Sequence, residues 1–462
     1  MMEKRQGRLQ PISLFPMNPD KTFLHCEVNL LAKKGLKTRV GVAIDLGTTC
    51  IDLFLWDLGD NCLLVSARGE NRQRCHGQDV ISRISAANTP GIGLAKLQAL
   101  AAATINQLLS VCLEATGIKR TALIRVALAG NTAMTLIFAK IDPLTLGTYP
   151  HAPPITEIPI FMAQGLGLDL APKVPIYIFP VVSGFIGGDT VSALVAHGPF
   201  DTKKTCLLVD IGTNGELVLS HGNRIMAASC ATGPAFEGAK ISWGMPAGEG
   251  AIDHMDISIS GRFSWQVMGK GGKKPAGICG SGMVDALGAL VRAGVLSPSG
   301  LLDQDSPLVT KNNQTQIQVE LVAADKTRHG RALTLSQKDI GELQLAKAAV
   351  CAGIELLLCR SGADHVDEIV LTGAFGAGFD WGNAVAIGML PEVLLAGKIR
   401  STAGLVGEGV IMALTDPGVK TRALALSRQI NLLELGGDLQ FQDRFLSALA
   451  FPVQPLKKPG KP

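Results

Sequence analysis

Aromatic residues make up only 5% of the 462-residue chain, with two tyrosines and four tryptophans. No stretch interleaves basic and aromatic side chains, so the stacking platforms of single-strand nucleic-acid binders are missing. Charge of one sign is also scarce: Lys and Arg total 43, Asp and Glu 39, a net of +4. That near-neutral balance excludes an electrostatic preference for nucleic acid or for a membrane surface. No apolar run reaches the roughly 18–20 residues needed to cross a bilayer. Residues 1–10 are charged and polar, without the apolar segment of a secretion signal. The ten cysteines are scattered from Cys26 to Cys359, and no two are separated by just two residues. Metal, redox and iron–sulfur spacings are therefore absent, and buried, reduced thiols in a cytoplasmic protein are expected.

Glycine is what the chain has in quantity, 53 residues. With 47% hydrophobic and 18% charged residues, the composition describes a well-packed α/β protein of two or three domains. The glycines gather at the ends of apolar strands. Residues 205–216 run Thr-Cys-Leu-Leu-Val-Asp-Ile-Gly-Thr-Asn-Gly-Glu. A buried strand leads into Asp210, and a tight turn through Gly212, Thr213, Asn214 and Gly215 returns the chain as a hairpin. A carboxylate at a strand end before a Gly-Thr turn suits a metal–phosphate group. The glycines let backbone N–H groups approach phosphate oxygens, the hydroxyl adds a donor, and the carboxylate can hold Mg2+ directly or through water. Residues 40–49 repeat the design, Val-Gly-Val-Ala-Ile-Asp-Leu-Gly-Thr-Thr, with Asp45, Gly47, Thr48 and Thr49 in the matching places. The two copies stand roughly 165 positions apart, too far for a solenoid and suited to duplicated lobes. A third strand, 369–372, breaks into the turn Gly373-Ala374-Phe375-Gly376-Ala377-Gly378, where backbone could lie flat against a base or ribose.

The remaining chain follows the same logic. Residues 1–39, with Pro11, Pro16 and Pro19 and scattered basic residues, read as a flexible tail or an extended segment lying on the body. Residues 40–67 read as a three-stranded meander. Asp79 and Arg83 stand at i and i+4, the spacing of an exposed pair on a helix, though a cleft-facing role stays open. Residues 94–113 have apolar positions at helical spacing, closed by Gly117. Residues 142–175 are proline-rich and irregular. Asp189 lies at the start of a helix, as a cap or facing a nucleotide metal. Pro199 marks the boundary between a first lobe, 40–199, and a second, 200–453, before a basic tail at 454–462. Ser336-Gln337-Lys338-Asp339 is a helix start.

The three loops in this order resemble the phosphate-1, phosphate-2 and adenosine motifs of the actin, sugar kinase and Hsp70 superfamily. That resemblance implies a two-lobed, actin-like (ribonuclease H-like) α/β ATPase fold with a cleft between lobes. Longer strings narrow it: Asp79-Val80-Ile81-Ser82-Arg83-Ile84, Gly130-Asn131-Thr132-Ala133-Met134, Gly233-Pro234-Ala235-Phe236-Glu237-Gly238, Gly277-Ile278-Cys279-Gly280-Ser281-Gly282 and Ser336-Gln337-Lys338-Asp339-Ile340. Over about residues 40–453 the chain is similar to the reductive activators of corrinoid proteins. The resemblance implies an ATP-dependent return of cobalt(II) corrinoid to cobalt(I), driven by ATP and Mg2+ and coupled to docking on a corrinoid protein. It carries Asp45 and Asp210 over as catalytic and metal-binding groups. Gly47, Thr48, Thr49, Gly212, Thr213 and Asn214 become phosphate contacts, and Gly373, Ala374 and Gly376 the adenosine loop. Ser229 and Glu237 are expected on the partner-facing loop.

Two departures from that family stand out. Its members commonly carry an iron–sulfur domain, and this chain shows no cluster motif, so a separate ferredoxin or flavoprotein is expected as electron donor. Arg400-Ser401-Thr402-Ala403-Gly404 replaces a Gly-Asn-Ala-Ala-Gly-like turn. A homodimer, and no nucleic-acid or membrane partner, complete the expectation. A small-molecule kinase of the same superfamily and a non-catalytic nucleotide switch are the alternatives.

Overall fold

The computed structural model describes residues 11–12, 26–30, 39–197, 203–212, 214–269, 272–311, 315–373, 379–402 and 404–453. The expected tail at 454–462 lies outside them, as do Thr213, Ala374 and Gly376.

The first eight strands form one sheet: β1 (Pro11–Ile12), β2 (Cys26–Leu30), β3 (Val40–Leu46), β4 (Cys50–Asp57), β5 (Cys62–Glu70), β6 (Leu123–Gly130), β7 (Phe161–Met162) and β8 (Pro175–Ile178). Their order across it is β1-β2-β5-β4-β3-β6-β8-β7. β3, β4 and β5 are an antiparallel meander, while β3, β6 and β8 run parallel. Burial follows that division. Central β3 is nearly apolar throughout and buried on both faces, as a parallel strand needs, whereas β4 alternates strictly. The helices of this part of the chain are α1 (Val80–Ala87), α2 (Gly93–Thr116), α3 (Thr132–Phe138) and α4 (Gly188–His197). α2 ends where Gly117 turns left-handed at φ 71°. It is long and apolar enough to pass for a membrane span, yet half of it is buried inside this core.

The second sheet repeats the pattern. It holds β9 (Cys206–Ile211), β10 (Gly215–His221) and β11 (Arg224–Cys230), followed much later by β18 (Glu368–Gly373) and β19 (Lys398–Ser401). With β20 (Ile430–Leu432) at one edge, the order is β19-β18-β9-β10-β11-β20: an antiparallel meander, then strands parallel to its first member. Between them come two small sheets, one of β12 (Ala251–Ile257), β13 (Phe263–Val267) and β14 (Gly277–Ile278), the other of β15 (Val309–Lys311), β16 (Ile317–Val322) and β17 (Leu333–Ser336). The helices here are α5 (Gly280–Arg292), α6 (Gln337–Ser361) and α7 (Trp381–Ala386). α6 opens with a reciprocal capping box between Ser336 and Asp339, at the start expected from sequence, and ends at left-handed Gly362. The chain closes with α8 (Leu405–Thr415), α9 (Gly418–Gln429), β20 (Ile430–Leu432) and α10 (Leu439–Ala448).

Two compact units result. One comprises the chain to Pro199 with Gly404–Ile430, the other Phe200–Ala403 with the chain from Asn431. Two sequence expectations are corrected. The second lobe is not the continuous stretch 200–453, because α8 and α9 belong to the first unit. Val410, Ala413 and Leu414 of α8 are buried with Ala43, Ala127 and Val191, and Gly41 of β3 lacks a side chain where Leu414 packs. The region 1–39 is also not flexible tail throughout; its described residues meet the other expectation, an extended segment lying on the body. Residues 26–30 pair antiparallel with β5 and residues 11–12 with β2, extending the sheet.

Candidate functional site

In the first unit Asp45 is the penultimate residue of β3. It is paired in register with Asp52 of β4 on one side and Ala129 of β6 on the other. Beyond Leu46 the chain enters the turn Gly47-Thr48-Thr49. A side chain at Gly47 would put its Cβ 2.6 Å from the Cys50 carbonyl oxygen, so only glycine fits the bend. Residues distant in sequence hold this turn. Asn71 Nδ2 donates to the Gly47 carbonyl at 2.9 Å, and the Asn71 backbone N–H to the Thr49 carbonyl at 2.9 Å. Arg83 Nη2 donates to the Thr48 carbonyl. Asn131 Nδ2 donates to Thr48 Oγ1 at 2.7 Å.

Arg83 corrects the exposed Asp79–Arg83 pair. It is fully buried, and it also donates to the Gly77 carbonyl at 3.0 Å and to Gln73 Oε1 at 3.2 Å. Asp79 is the N-cap of α1 and accepts from the Ser82 N–H at 2.8 Å, so it lies outside the helical turns that the i, i+4 spacing presumes. Burial pushes the Arg83 guanidinium down to about 10, still cationic at neutral pH. Glycines bring the neighbouring corners close. A Cβ at Gly130 would lie 2.6 Å from the Leu46 carbonyl oxygen, and one at Gly187 2.6 Å from Asn131 Cα. Asp189, half-buried in the first turn of α4, accepts from the Thr190 N–H at 2.7 Å; desolvation pushes its carboxyl up to about 6.

The second unit builds the corresponding corner. Asp210 is the penultimate residue of β9, paired with Glu216 of β10 and Thr372 of β18. The Gly212 N–H donates to the Asn214 carbonyl at 2.9 Å, and Thr232 Oγ1 to the Gly212 carbonyl at 3.2 Å. Gly373 ends β18 with φ at 90°; any Cβ there would collide with Asp210 Oδ1 and the Ile211 carbonyl. Gly373, where the third glycine-rich turn begins, thus lies directly against Asp210. Glu237 also comes to this corner, its Oε1 3.4 Å from where a Gly212 Cβ would be. Ser229, opposite Glu216 on β11, donates to Glu216 Oε1 at 3.4 Å.

Within the first unit the structure therefore brings together Asp45, Gly47, Thr48 and Thr49. Within the second it gathers Asp210, Gly212, Asn214, Gly373, Ser229 and Glu237. Sequence reasoning missed Asn71, Asn131 and Glu216 as parts of these corners, and for Arg83 it left a cleft-facing role open beside the exposed pair. Asn131 and Glu216 stood in quoted motifs, and their strand-end positions were the available signal. Among the described residues no three His, Cys, Asp or Glu side chains gather as a metal-ligand set.

Each unit presents its polar turn at the carboxyl end of β3 or β9, the first of five strands ordered third-second-first-fourth-fifth within its larger sheet, where open α/β sheets bind ligands. Fold and turns together define a nucleotide-binding protein of the actin-like class. Comparison with known proteins makes this specific. Residues 40–200 match the RACo middle region, and residues 204–459 match the C-terminal domain of RACo, the ASKHA domain. The corrinoid activation enzyme RamQ of Eubacterium limosum is 31% identical over 423 residues, covering 89% of this chain and 70% of that protein. The [Co(II) methylated amine-specific corrinoid protein] reductase of Methanosarcina barkeri is 26% identical over 240 residues, 47% of this chain and 40% of that one. Among solved structures, a reductive activator for corrinoid, iron–sulfur protein superposes with a TM-score of 0.82 at 30% identity, covering 92% of this chain and 70% of that one. The chain belongs to the RACo family.

Proposed function

We propose that this protein is an ATP-dependent reductive activator, returning the cobalt(II) corrinoid of a partner protein to cobalt(I). The observation that carries the reading is the matched pair of aspartate–glycine turns, at Asp45 and Asp210, in a family whose relatives are named for corrinoid activation. The residues present fit a nucleotide. Glycine at 47 and the left-handed Gly373 permit the tight bends at the two corners, since a Cβ at either would strike neighbouring protein atoms. Thr48, Thr49, Thr213 and Asn214 would take phosphate oxygens, and Gly373, Ala374 and Gly376 the adenosine. Asp45 and Asp210 would hold Mg2+, which when bound neutralises phosphate charge. Glu237, lying against Gly212, would let the 229–238 loop feel nucleotide occupancy, and Ser229 would face the corrinoid partner.

Each cobalt takes up one electron, and the 462 residues hold no cluster-type cysteine spacing. The electron therefore comes from outside these residues, from a ferredoxin or flavoprotein. The role of ATP is to favour the conformation that binds the partner with its cobalt ready for reduction, since a ligand shifts an equilibrium only through its differential affinity for the two states.

The test mixes purified protein, a cobalt(II) corrinoid protein and a reductant, and follows the cobalt(I) visible band with and without Mg2+-ATP. The band is expected only with ATP. Asp210→Ala should cut the rate roughly a hundredfold or more, the scale of losing one preorganised charge-stabilising group. Formation of cobalt(I) at the same rate without ATP would overturn the reading.

A further inference from the structure

The phosphate-1 turn is held by three side chains from outside it, Asn71, Arg83 and Asn131. Asn71 and Asn131 each have an unambiguous amide orientation. Asn71 Oδ1 accepts from the Gln73 N–H at 3.1 Å, so its NH2 group is what meets the Gly47 carbonyl. Asn131 Oδ1 accepts from the Met134 N–H at 3.0 Å, so its NH2 group is what meets Thr48 Oγ1. Two consequences follow from peptide geometry. In a trans peptide the N–H points opposite to the C=O of the same plane. Asn71 holds the Gly47 carbonyl and Arg83 the Thr48 carbonyl, so the N–H groups of Thr48 and Thr49 are turned to the opposite side. The second consequence concerns the hydroxyl. Thr48 Oγ1 accepts from an amide that has no acceptor to offer it, so the hydroxyl proton stays available to donate elsewhere.

We infer that Arg83, Asn71 and Asn131 are positioning residues for the nucleotide phosphates, orienting two backbone N–H groups and one hydroxyl of the Gly47-Thr48-Thr49 turn as anion donors. The inference rests on the ATP reading above and names the residues that tune its affinity. A buried guanidinium behind the 48–49 peptide also polarises that plane and strengthens its N–H as a donor, since charge acts strongly where water is excluded. Arg83 reaches this place with no carboxylate partner on its guanidinium among its hydrogen bonds, which go to two carbonyls, a glutamine amide oxygen and the Met134 sulfur.

The test compares affinities for Mg2+-ATP and for adenosine by calorimetry in the full chain. Adenosine lacks the phosphates, so it reports folding and base contacts alone. Arg83→Met should weaken ATP roughly 10–100-fold and leave adenosine within about twofold, with Arg83→Lys intermediate. Asn131→Asp is the second variant. It keeps the oxygen that caps α3 but removes the NH2 group, so the Thr48 hydroxyl must donate inward and a negative charge is added. ATP affinity should fall more than tenfold there, with adenosine unchanged. If wild type binds ATP and both variants match it, or if ATP and adenosine weaken together, the inference is overturned while the ATP reading stands. If wild type binds neither ligand, the ATP reading fails and takes this inference with it.

Discussion

Lys347 lies in the middle of α6 with no exposed surface, and its ammonium group reaches the segment where α10 ends. Nζ donates to the Ala448 carbonyl at 2.6 Å and to the Ala450 carbonyl at 2.7 Å, and stands 4.7 Å from the centre of the Phe451 ring. No carboxylate is among these contacts, so desolvation dominates and pushes the group down to about 8 from its ordinary 10.5. Falling from 10.5 to about 8 corresponds to roughly 3 kcal/mol. The sign follows from proton counting. Below pH 8 the lysine is charged both folded and unfolded, and the fold carries the whole penalty. Between pH 8 and 10.5 the folded protein sheds the proton that the unfolded chain keeps, so stability from this group rises with pH. Lys347→Met removes the penalty but leaves two buried carbonyls short of a donor, at about 1–3 kcal/mol each. Those terms nearly cancel at pH 7, so the informative quantity is the slope. Urea unfolding of both proteins at half-unit steps from pH 7 to 10.5 should show wild type gaining up to about 3 kcal/mol on the variant. A difference that is flat across that range would refute the reasoning.

Gly373→Ala should lower the melting temperature by several degrees, since left-handed strain of roughly 1–2 kcal/mol joins the collision with Asp210 Oδ1. ATP affinity should fall with it, and a variant matching wild type in both would contradict the geometry. Asp189 presents the opposite titration to Lys347. Its carboxyl is raised to about 6, so the folded protein holds the proton more tightly and stability falls as pH rises from about 4 to 6. Asp189→Asn should match wild type near pH 4 and exceed it by roughly 1–2 kcal/mol above pH 6, less than the full shift because the residue is half-buried. Equal stabilities at pH 7 would count against a desolvated carboxylate there.

The features legible in the sequence were those made by neighbours in the chain. An apolar strand, an aspartate and a glycine turn occupy ten consecutive residues, so both phosphate turns could be placed without knowing what packs on them. The capping box at Ser336 and the left-handed stop at Gly117 are equally local. Arg83 shows where this runs out. Its spacing from Asp79 satisfies the rule for an exposed helical pair, but Asp79 is spent on the cap, and the guanidinium's partners lie at Thr48, Gln73 and Gly77. Nothing within the α1 sequence states that the Thr48 carbonyl will need a donor. The return of α8 to the first unit was hidden for a related reason: its buried Val410 and Leu414 say that it packs, not on which sheet.

The duplication visible in the motifs becomes unequal once register is known. In the first unit Asp45, Asp52 and Arg68 stand side by side on β3, β4 and β5; in the second, Asp210, Glu216 and Ser229 do so on β9, β10 and β11. These are the same places in sheets of the same order, since paired residues on adjacent strands share a face. The third place differs. Arg68 lies 3.7 Å from Asp52, and that carboxylate, with Asp45 further away, holds the guanidinium above its ordinary range. The first row thus carries two carboxylates against one cation, and the second carries two carboxylates beside a hydroxyl. Under the proposed function the first turn, with its carbonyls held by Asn71 and Arg83, is suited to take phosphate oxygens.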